Sequence, residues 1–168
     1  MENNKRILNI GCGNDMYGTD RIDMKETKAT TKLWNAEEGL PYKDNTFDEI
    51  RAYYVVEHLR NVGLFIDECY RVLKKGGSLD LQTDNAGYLI FHTKTEHNKM
   101  LDKKGYCKHP EDHHYYLFVP SHLKYFLKDF SKVNLSYSKI RRNIWKSIIL
   151  NSLPFHFGDE GIRAIAIK

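Results

Sequence analysis

The stretch Arg6-Ile7-Leu8-Asn9-Ile10-Gly11-Cys12-Gly13-Asn14-Asp15 constrains this chain more than any other, because an apolar strand runs straight into a turn with two glycines one residue apart. A buried strand can break so sharply only where the next residues tolerate unusual φ/ψ, and glycine does so while letting a ligand approach the backbone closely. The turn reads as the mouth of a nucleotide-type cofactor site, on the first strand of an α/β sheet. A dinucleotide fingerprint would need G-x-G-x-x-G and an acid about 20 residues further on. Here Gly18 comes two residues late, and Asp23, which ends Arg21-Ile22-Asp23, follows Gly13 after only ten residues. Asn14-Asp15 would also put a carboxylate where a pyrophosphate should sit, which argues against a dinucleotide.

The remaining strands and helices follow from pattern. Lys5–Ile10 and Gly18–Ile22 are expected as strands one and two, with room between them for only a turn. Parallel neighbours usually need a crossover of about a dozen residues with a helix, so the first crossover is shortened. Ala29–Trp34 is expected as strand three and Phe47–Tyr54 as strand four. Val62–Leu73 has its apolar residues at helical spacing, with Lys74-Lys75-Gly76-Gly77 as a basic, glycine-terminated stop. Ser78–Thr83 alternates as strand five. Pro120-Ser121 opens a second helix with Ser121 as its N-cap, and Leu123, Phe126, Leu127 and Phe130 form its buried face. Val133–Ile140 and Gly161–Ile167 are the last strand candidates.

The run Leu8–Gly13, then Asp23, Asn35-Ala36-Glu37-Glu38-Gly39-Leu40-Pro41, Asp44–Asp48, Glu57-His58-Leu59 and Arg71–Gly77 resembles the class I S-adenosylmethionine-dependent methyltransferases of the type 11 group. The resemblance rests on the order and spacing of six elements over residues 6 to 85. It implies an α/β, Rossmann-like methyltransferase fold with a mostly parallel, roughly seven-stranded sheet whose last two strands pair antiparallel. It also implies S-adenosylmethionine as cofactor, held by Gly11, Cys12, Gly13, Asp23, Met24, Asn35, Ala36 and Tyr53. In the family Asp23 would accept from the ribose hydroxyls. Asn35 stands where an aspartate is common, and its side-chain carbonyl would accept from the adenine amino group. Asp15 would orient the cofactor's amino group or cap a short helix.

Methyl transfer asks the protein to hold the cofactor, align the nucleophile and exclude water; a base is needed only for an acceptor that is protonated when it reacts. His58 at the sheet rim and His113 and His114 further on are the candidate catalytic groups. Asp84 and Tyr116 are candidate acceptor contacts. His109, Glu111, Asp112, His113 and His114 contain metal-capable side chains, but their spacing matches no zinc pattern and no metal is expected. The segment Asp84–Tyr116 is the longest unpatterned piece able to reach the open side of the rim, so acceptor recognition is assigned to it.

With 168 residues the chain is expected to form one domain, residues 1–168, in which 86–120 and 141–159 serve as acceptor or lid segments. No apolar run approaches the roughly 20 residues of a membrane span, and Met1–Lys5 leads directly into a strand rather than a leader. Three scattered cysteines, Cys12, Cys69 and Cys107, suit free thiols in a reducing cytoplasm. Residues 1–91 carry 12 Lys/Arg against 15 Asp/Glu, whereas 92–146 carry 12 against 5. A net +7 segment beside the cofactor half favours an anionic acceptor such as a nucleic acid, a phosphorylated intermediate or an anionic glycan. A small-molecule or glycan-linked acceptor is the leading expectation. RNA methylation and a non-catalytic, cofactor-binding subunit are the alternatives. The apolar stretch Arg141–Asp159, with Trp145, Ile149 and Phe155, is expected to close the acceptor pocket or form a homodimer contact.

Overall fold

The computed structural model describes residues 5–87, 113–139 and 159–168. They build one seven-stranded sheet in the order β3-β2-β1-β4-β5-β7-β6. Its strands are β1 (Ile7–Ile10), β2 (Asp20–Asp23), β3 (Lys32–Leu33), β4 (Phe47–Tyr53), β5 (Leu73–Asp84), β6 (Lys132–Lys139) and β7 (Asp159–Ile167). β1, β2, β3, β4 and β5 pair in parallel, and β7 runs against both of its neighbours, β5 and β6. This is the Rossmann-like arrangement expected from the sequence.

The first crossover is short. β1 and β2 are joined by residues 11–19 without a helix, and backbone bonds tie the connection down: Gly11 and Cys12 N–H both donate to Ile22 O, and Thr19 N–H donates to Ile7 O. β3 is only two residues long, not the six expected. Thr31 and Trp34 N–H nevertheless extend its pairing, donating to Arg21 O and Asp23 O.

Helix α1 (Val62–Val72) begins at Asn61, whose side chain accepts from Leu64 N–H, and it buries Val62, Phe65, Ile66, Cys69 and Val72. The expected stop at Gly76-Gly77 is not where the helix ends. The chain leaves α1 at Leu73 directly into β5, and both glycines lie inside that strand, beside an irregularity in its register with β4. Helix α2 (Pro120–Phe126) has Val119 as N-cap with Pro120 in the first turn, so Ser121 is inside the helix rather than capping it. Pro120 already lacks the N–H that would need a cap.

Leu8, Ile10, Ile50, Ala52, Leu79, Leu81, Ile162, Ala164 and Ala166 on one face of the sheet pack with the apolar sides of both helices into one core. The strand period of two sends the alternate residues to the other face. There Tyr17, Arg51, Tyr53 and Arg163 stack, with guanidinium-to-ring distances of 3.8 Å (Arg51–Tyr17), 4.5 Å (Arg51–Tyr53) and 5.9 Å (Arg163–Tyr53). Asp80 accepts a two-pronged bond from Arg163 at 2.8 and 2.6 Å and the Tyr53 hydroxyl at 2.7 Å. Burial works to raise the Asp80 carboxyl, but the Arg163 fork and the Tyr53 hydroxyl outweigh it and hold the group below the usual carboxylate range.

Among the described residues no helix is long and apolar enough to cross a membrane. The stretch 140–158 and Cys107 fall outside the described residues, as do His109, Glu111 and Asp112.

Candidate active site at the carboxyl rim of the sheet

A cavity of about 460 Å³ opens at the carboxyl ends of β1, β2 and β4. Ligands of open α/β sheets bind on this side, where the strand order turns. Gly11, Gly13, Asp23, Met24, Asn35 and Ala36 line it, together with His58 and His113. Gly11 has φ +64°, and a Cβ there would stand 2.5 Å from Val55 Cγ2. Glycine is therefore required on two counts, backbone conformation and space.

Asp23 locks the turn. Gly13 N–H donates to its Oδ2 and Lys25 N–H to its Oδ1, both at 2.8 Å. Each carboxylate oxygen keeps a second lone pair, so a diol can still be accepted by a carboxylate whose position is already fixed. Thr27, which the sequence did not single out, donates its hydroxyl to Gly13 O and backs the same turn. The Asn35 side-chain carbonyl caps the 3-10 turn Ala36–Glu38 by accepting from Glu37 N–H at 3.0 Å; for an adenine amino group it has one lone pair left, not two.

Three expected cofactor-side residues lie elsewhere. Cys12 is buried against Thr30, its sulfur 3.9 Å from that hydroxyl, and does not line the cavity. Tyr53 points to the opposite face of the sheet and bonds Asp80; its neighbour Tyr54 lines the cavity instead. Tyr54 stands one residue past the end of β4, at φ +56°, where the strand's alternation no longer sets the direction of the side chain. Asp15 caps no helix: it accepts from Tyr17 N–H and pairs with Arg51 at 2.9 Å.

Of the segment Asp84–Tyr116, to which acceptor recognition is assigned from sequence as an expectation, 84–87 and 113–116 are described, and they meet at the rim. Tyr115 N–H donates to Glu57 O at 2.7 Å, the Tyr116 hydroxyl to Arg60 O at 3.0 Å, and Ala86 N–H to Phe118 O at 2.8 Å. Residues 113–118 thus lie as a strap across the ends of β4 and β5. Beneath the strap, the His58 and His114 rings meet edge to face at 4.6 Å, and His114 Nδ1 lies 3.2 Å from Asp84 Oδ2. His58 Nδ1 is 3.2 Å from His113 O. A carbonyl only accepts, so neutral His58 carries its proton on Nδ1 and its lone pair on Nε2. Of the candidates, His58 and His113 line the cavity, whereas His114 and Asp84 sit behind them and Tyr116 serves the strap.

Glu57 was not singled out from sequence. It is fully buried, with Oε2 accepting from the Thr83 hydroxyl at 2.9 Å and Oε1 without a hydrogen-bond partner. Burial pushes its carboxyl up to about 7, with Asp84 adding to the rise and the Thr83 bond and His114 opposing it. Among the described residues no group of three or more His, Cys, Asp or Glu side chains is arranged to hold a metal ion.

Residues 14–80 match the family model of the methyltransferase domain. The ubiquinone biosynthesis O-methyltransferase, mitochondrial, of Rattus norvegicus is 42% identical over 60 residues, covering 36% of this chain and 17% of that protein. The ubiquinone biosynthesis O-methyltransferase of Nitrobacter winogradskyi is 31% identical over 107 residues, covering 51% and 41%. The chain thus spans less than half the length of the curated relatives it matches. Among solved structures, a SAM-dependent methyltransferase from Archaeoglobus fulgidus superposes with a TM-score of 0.68 at 20% identity, covering 98% of this chain and 86% of that one. Phosphoethanolamine N-methyltransferase 2 of Haemonchus contortus, solved with S-adenosyl-L-methionine, gives 0.64 at 14% identity, covering 100% and 49%. The solved structures speak for the fold, and the domain match runs from Asn14, directly after the glycine turn, to Asp80 in β5: over that stretch the chain is similar to the methyltransferase domain.

Proposed function

We propose that the chain transfers a methyl group from S-adenosylmethionine to a small-molecule acceptor, a glycan-linked one included. The observation that supports this most is the Gly11–Gly13 turn with Asp23 fixed against it at the mouth of the cavity. The residues fit the cofactor: a positive-φ glycine pair allows close backbone approach, Asp23 offers lone pairs to a ribose diol, and Asn35 with Ala36 faces a heterocycle. Bound there, the cofactor would supply an electrophilic methyl group on a sulfonium. The protein's own part is to align the acceptor and keep water out. His58, whose neutral tautomer carries its lone pair on Nε2, is the group suited to take a proton from a hydroxyl acceptor.

The order of strands supports a division of labour along the rim. β3 and β2 carry Asn35 and Asp23 at their ends, for the nucleoside. β1 carries the glycine turn, for the amino-acid part. β4 and β5, covered by the strap, remain for the acceptor. Curated relatives named as O-methyltransferases of ubiquinone biosynthesis support a small-molecule acceptor for this chain.

The test has two parts. Calorimetry should detect S-adenosylhomocysteine binding and no tighter binding of NAD; the reverse order would overturn the reading of the cavity. Tritiated-methyl transfer into fractionated cell extract should then label the small-molecule or glycan fraction. Label in RNA would favour the nucleic-acid alternative, and cofactor binding without label in any fraction would favour a non-catalytic subunit.

A further inference from the structure

Tyr54 is one of two non-glycine residues with a positive φ among those described, at +56°. An asparagine in that region is unremarkable; a bulky aromatic residue there is an outlier held in place by its surroundings. Two bonds hold it. Tyr54 N–H donates to Gln82 O at 2.7 Å, continuing the β4–β5 ladder one residue past the strand, and Gln82 Nε2 donates to the Tyr54 hydroxyl at 2.7 Å. The same strand residue therefore grips both the backbone and the tip of the side chain.

The turn itself has a plain structural purpose. It swings the chain from β4 into the 3-10 turn Val56–His58 and sets Val55 against Gly11. Glycine would make that turn without steric cost. A tyrosine in its place leaves a ring on the cavity wall, 43% exposed. Further aromatic groups line the same cavity: His58, His113 and Tyr115, the last two edge to face at 4.8 Å, with the Arg60 guanidinium 5.5 Å over the Tyr115 ring. Tyr54 follows β4, whereas Asp23 ends β2 and Asn35 follows β3, on the other side of β1 in the sheet.

Resting on the proposed function, we infer that Tyr54 is a positioning residue for the acceptor, a preorganised aromatic wall against which a planar ring is stacked, and that the acceptor is planar and carries the methylated group on that ring. A rigid aromatic face orders a flat ligand at little entropic cost and discriminates against a puckered one.

The inference is tested on the full chain with catechol and its saturated counterpart cis-cyclohexane-1,2-diol, using the wild type, Tyr54→Phe and Tyr54→Gly. Wild type should use catechol at least tenfold more efficiently than the diol. Tyr54→Gly should keep S-adenosylhomocysteine affinity within twofold and keep or raise the melting temperature, because the backbone is relieved. Its KM for catechol should rise at least tenfold and its preference over the diol should collapse. Tyr54→Phe, which retains the ring but not the Gln82 bond, should fall between the two. A Tyr54→Gly variant with unchanged catechol KM would reduce Tyr54 to a turn residue. One with a lowered melting temperature would show that the ring is there for packing. Equal use of both diols by wild type, with S-adenosylhomocysteine bound, would overturn the inference alone. Failure of wild type to bind S-adenosylhomocysteine would overturn the proposed function and the inference with it.

Discussion

Glu57→Gln should remove a pH-dependent weakness from the fold. In the native state the Glu57 carboxyl is fully buried and pushed from an ordinary 4.5 up to about 7, chiefly by burial. Below pH 4.5 the carboxyl is protonated in both the native and the unfolded chain and has no effect on stability. Between 4.5 and 7 the unfolded chain releases the proton while the native protein holds it, so stability falls as pH rises. Above about 7 the native group must ionise and the full cost is present. At about 1.4 kcal/mol per pH unit, the rise amounts to about 3 kcal/mol. Glutamine is uncharged and its amide oxygen can still accept from Thr83. Urea unfolding followed by circular dichroism at half-unit steps from pH 5 to 8 should show the wild type losing about 2–3 kcal/mol relative to the variant. Curves that stay parallel across that range would refute the reasoning, since Glu57 would then be no harder to ionise in the fold than in the open chain.

Three other outcomes are expected. Gly11→Ala should sharply lower both the melting temperature and S-adenosylhomocysteine affinity, because its Cβ meets Val55 at 2.5 Å. Gly13→Ala, with open space at φ +51°, should cost only the backbone term of about 1–2 kcal/mol, and equal losses at the two positions would contradict the steric account. Asp23→Ala should weaken S-adenosylhomocysteine binding at least tenfold by calorimetry, and it should lower thermal stability too, since two backbone N–H groups lose their acceptor; unchanged affinity would move the site elsewhere. Arg163→Lys should cost about 1 kcal/mol in urea unfolding, because an ammonium cannot reproduce the two-pronged bond to Asp80; no measurable loss would mean that the stack on that face is ornamental.

The parts legible in the sequence are those governed by period and by backbone sterics. The helical spacing of Val62, Phe65, Ile66, Cys69 and Val72 located α1 to within a residue at its end, and the two glycines with Asp23 pointed to the cavity at the rim. The short span between Ile10 and Gly18 foretold a shortened first crossover. Where the reading went astray, two rules competed. Gly76-Gly77 after two lysines is a helix stop by local chemistry, but pairing of Leu73 with Phe47 across the sheet takes the chain into β5 earlier. Tyr53 is the last residue of β4 and points away from the cavity, and the chain leaves the strand through a left-handed Tyr54. A left-handed tyrosine leaves no trace in composition or period, so the face presented to the cavity could not be read. Glu57 carries no signal in the sequence, because what distinguishes it is burial, and burial of a rim residue depends on the strap laid over it by residues more than fifty positions later.

The sheet face on which Tyr17, Arg51, Tyr53 and Arg163 stack has a thermal consequence. Apolar surface hidden from water raises the heat capacity of unfolding, and polar surface hidden with it lowers that quantity. A described sheet that buries aliphatic side chains on one face and half-buries guanidinium and phenol groups around the buried Asp80 on the other hides both kinds together. The heat-capacity change per residue should therefore fall below the usual 12–15 cal/mol/K or so, giving a shallower dependence of stability on temperature than a sheet with aliphatic packing on both faces would have.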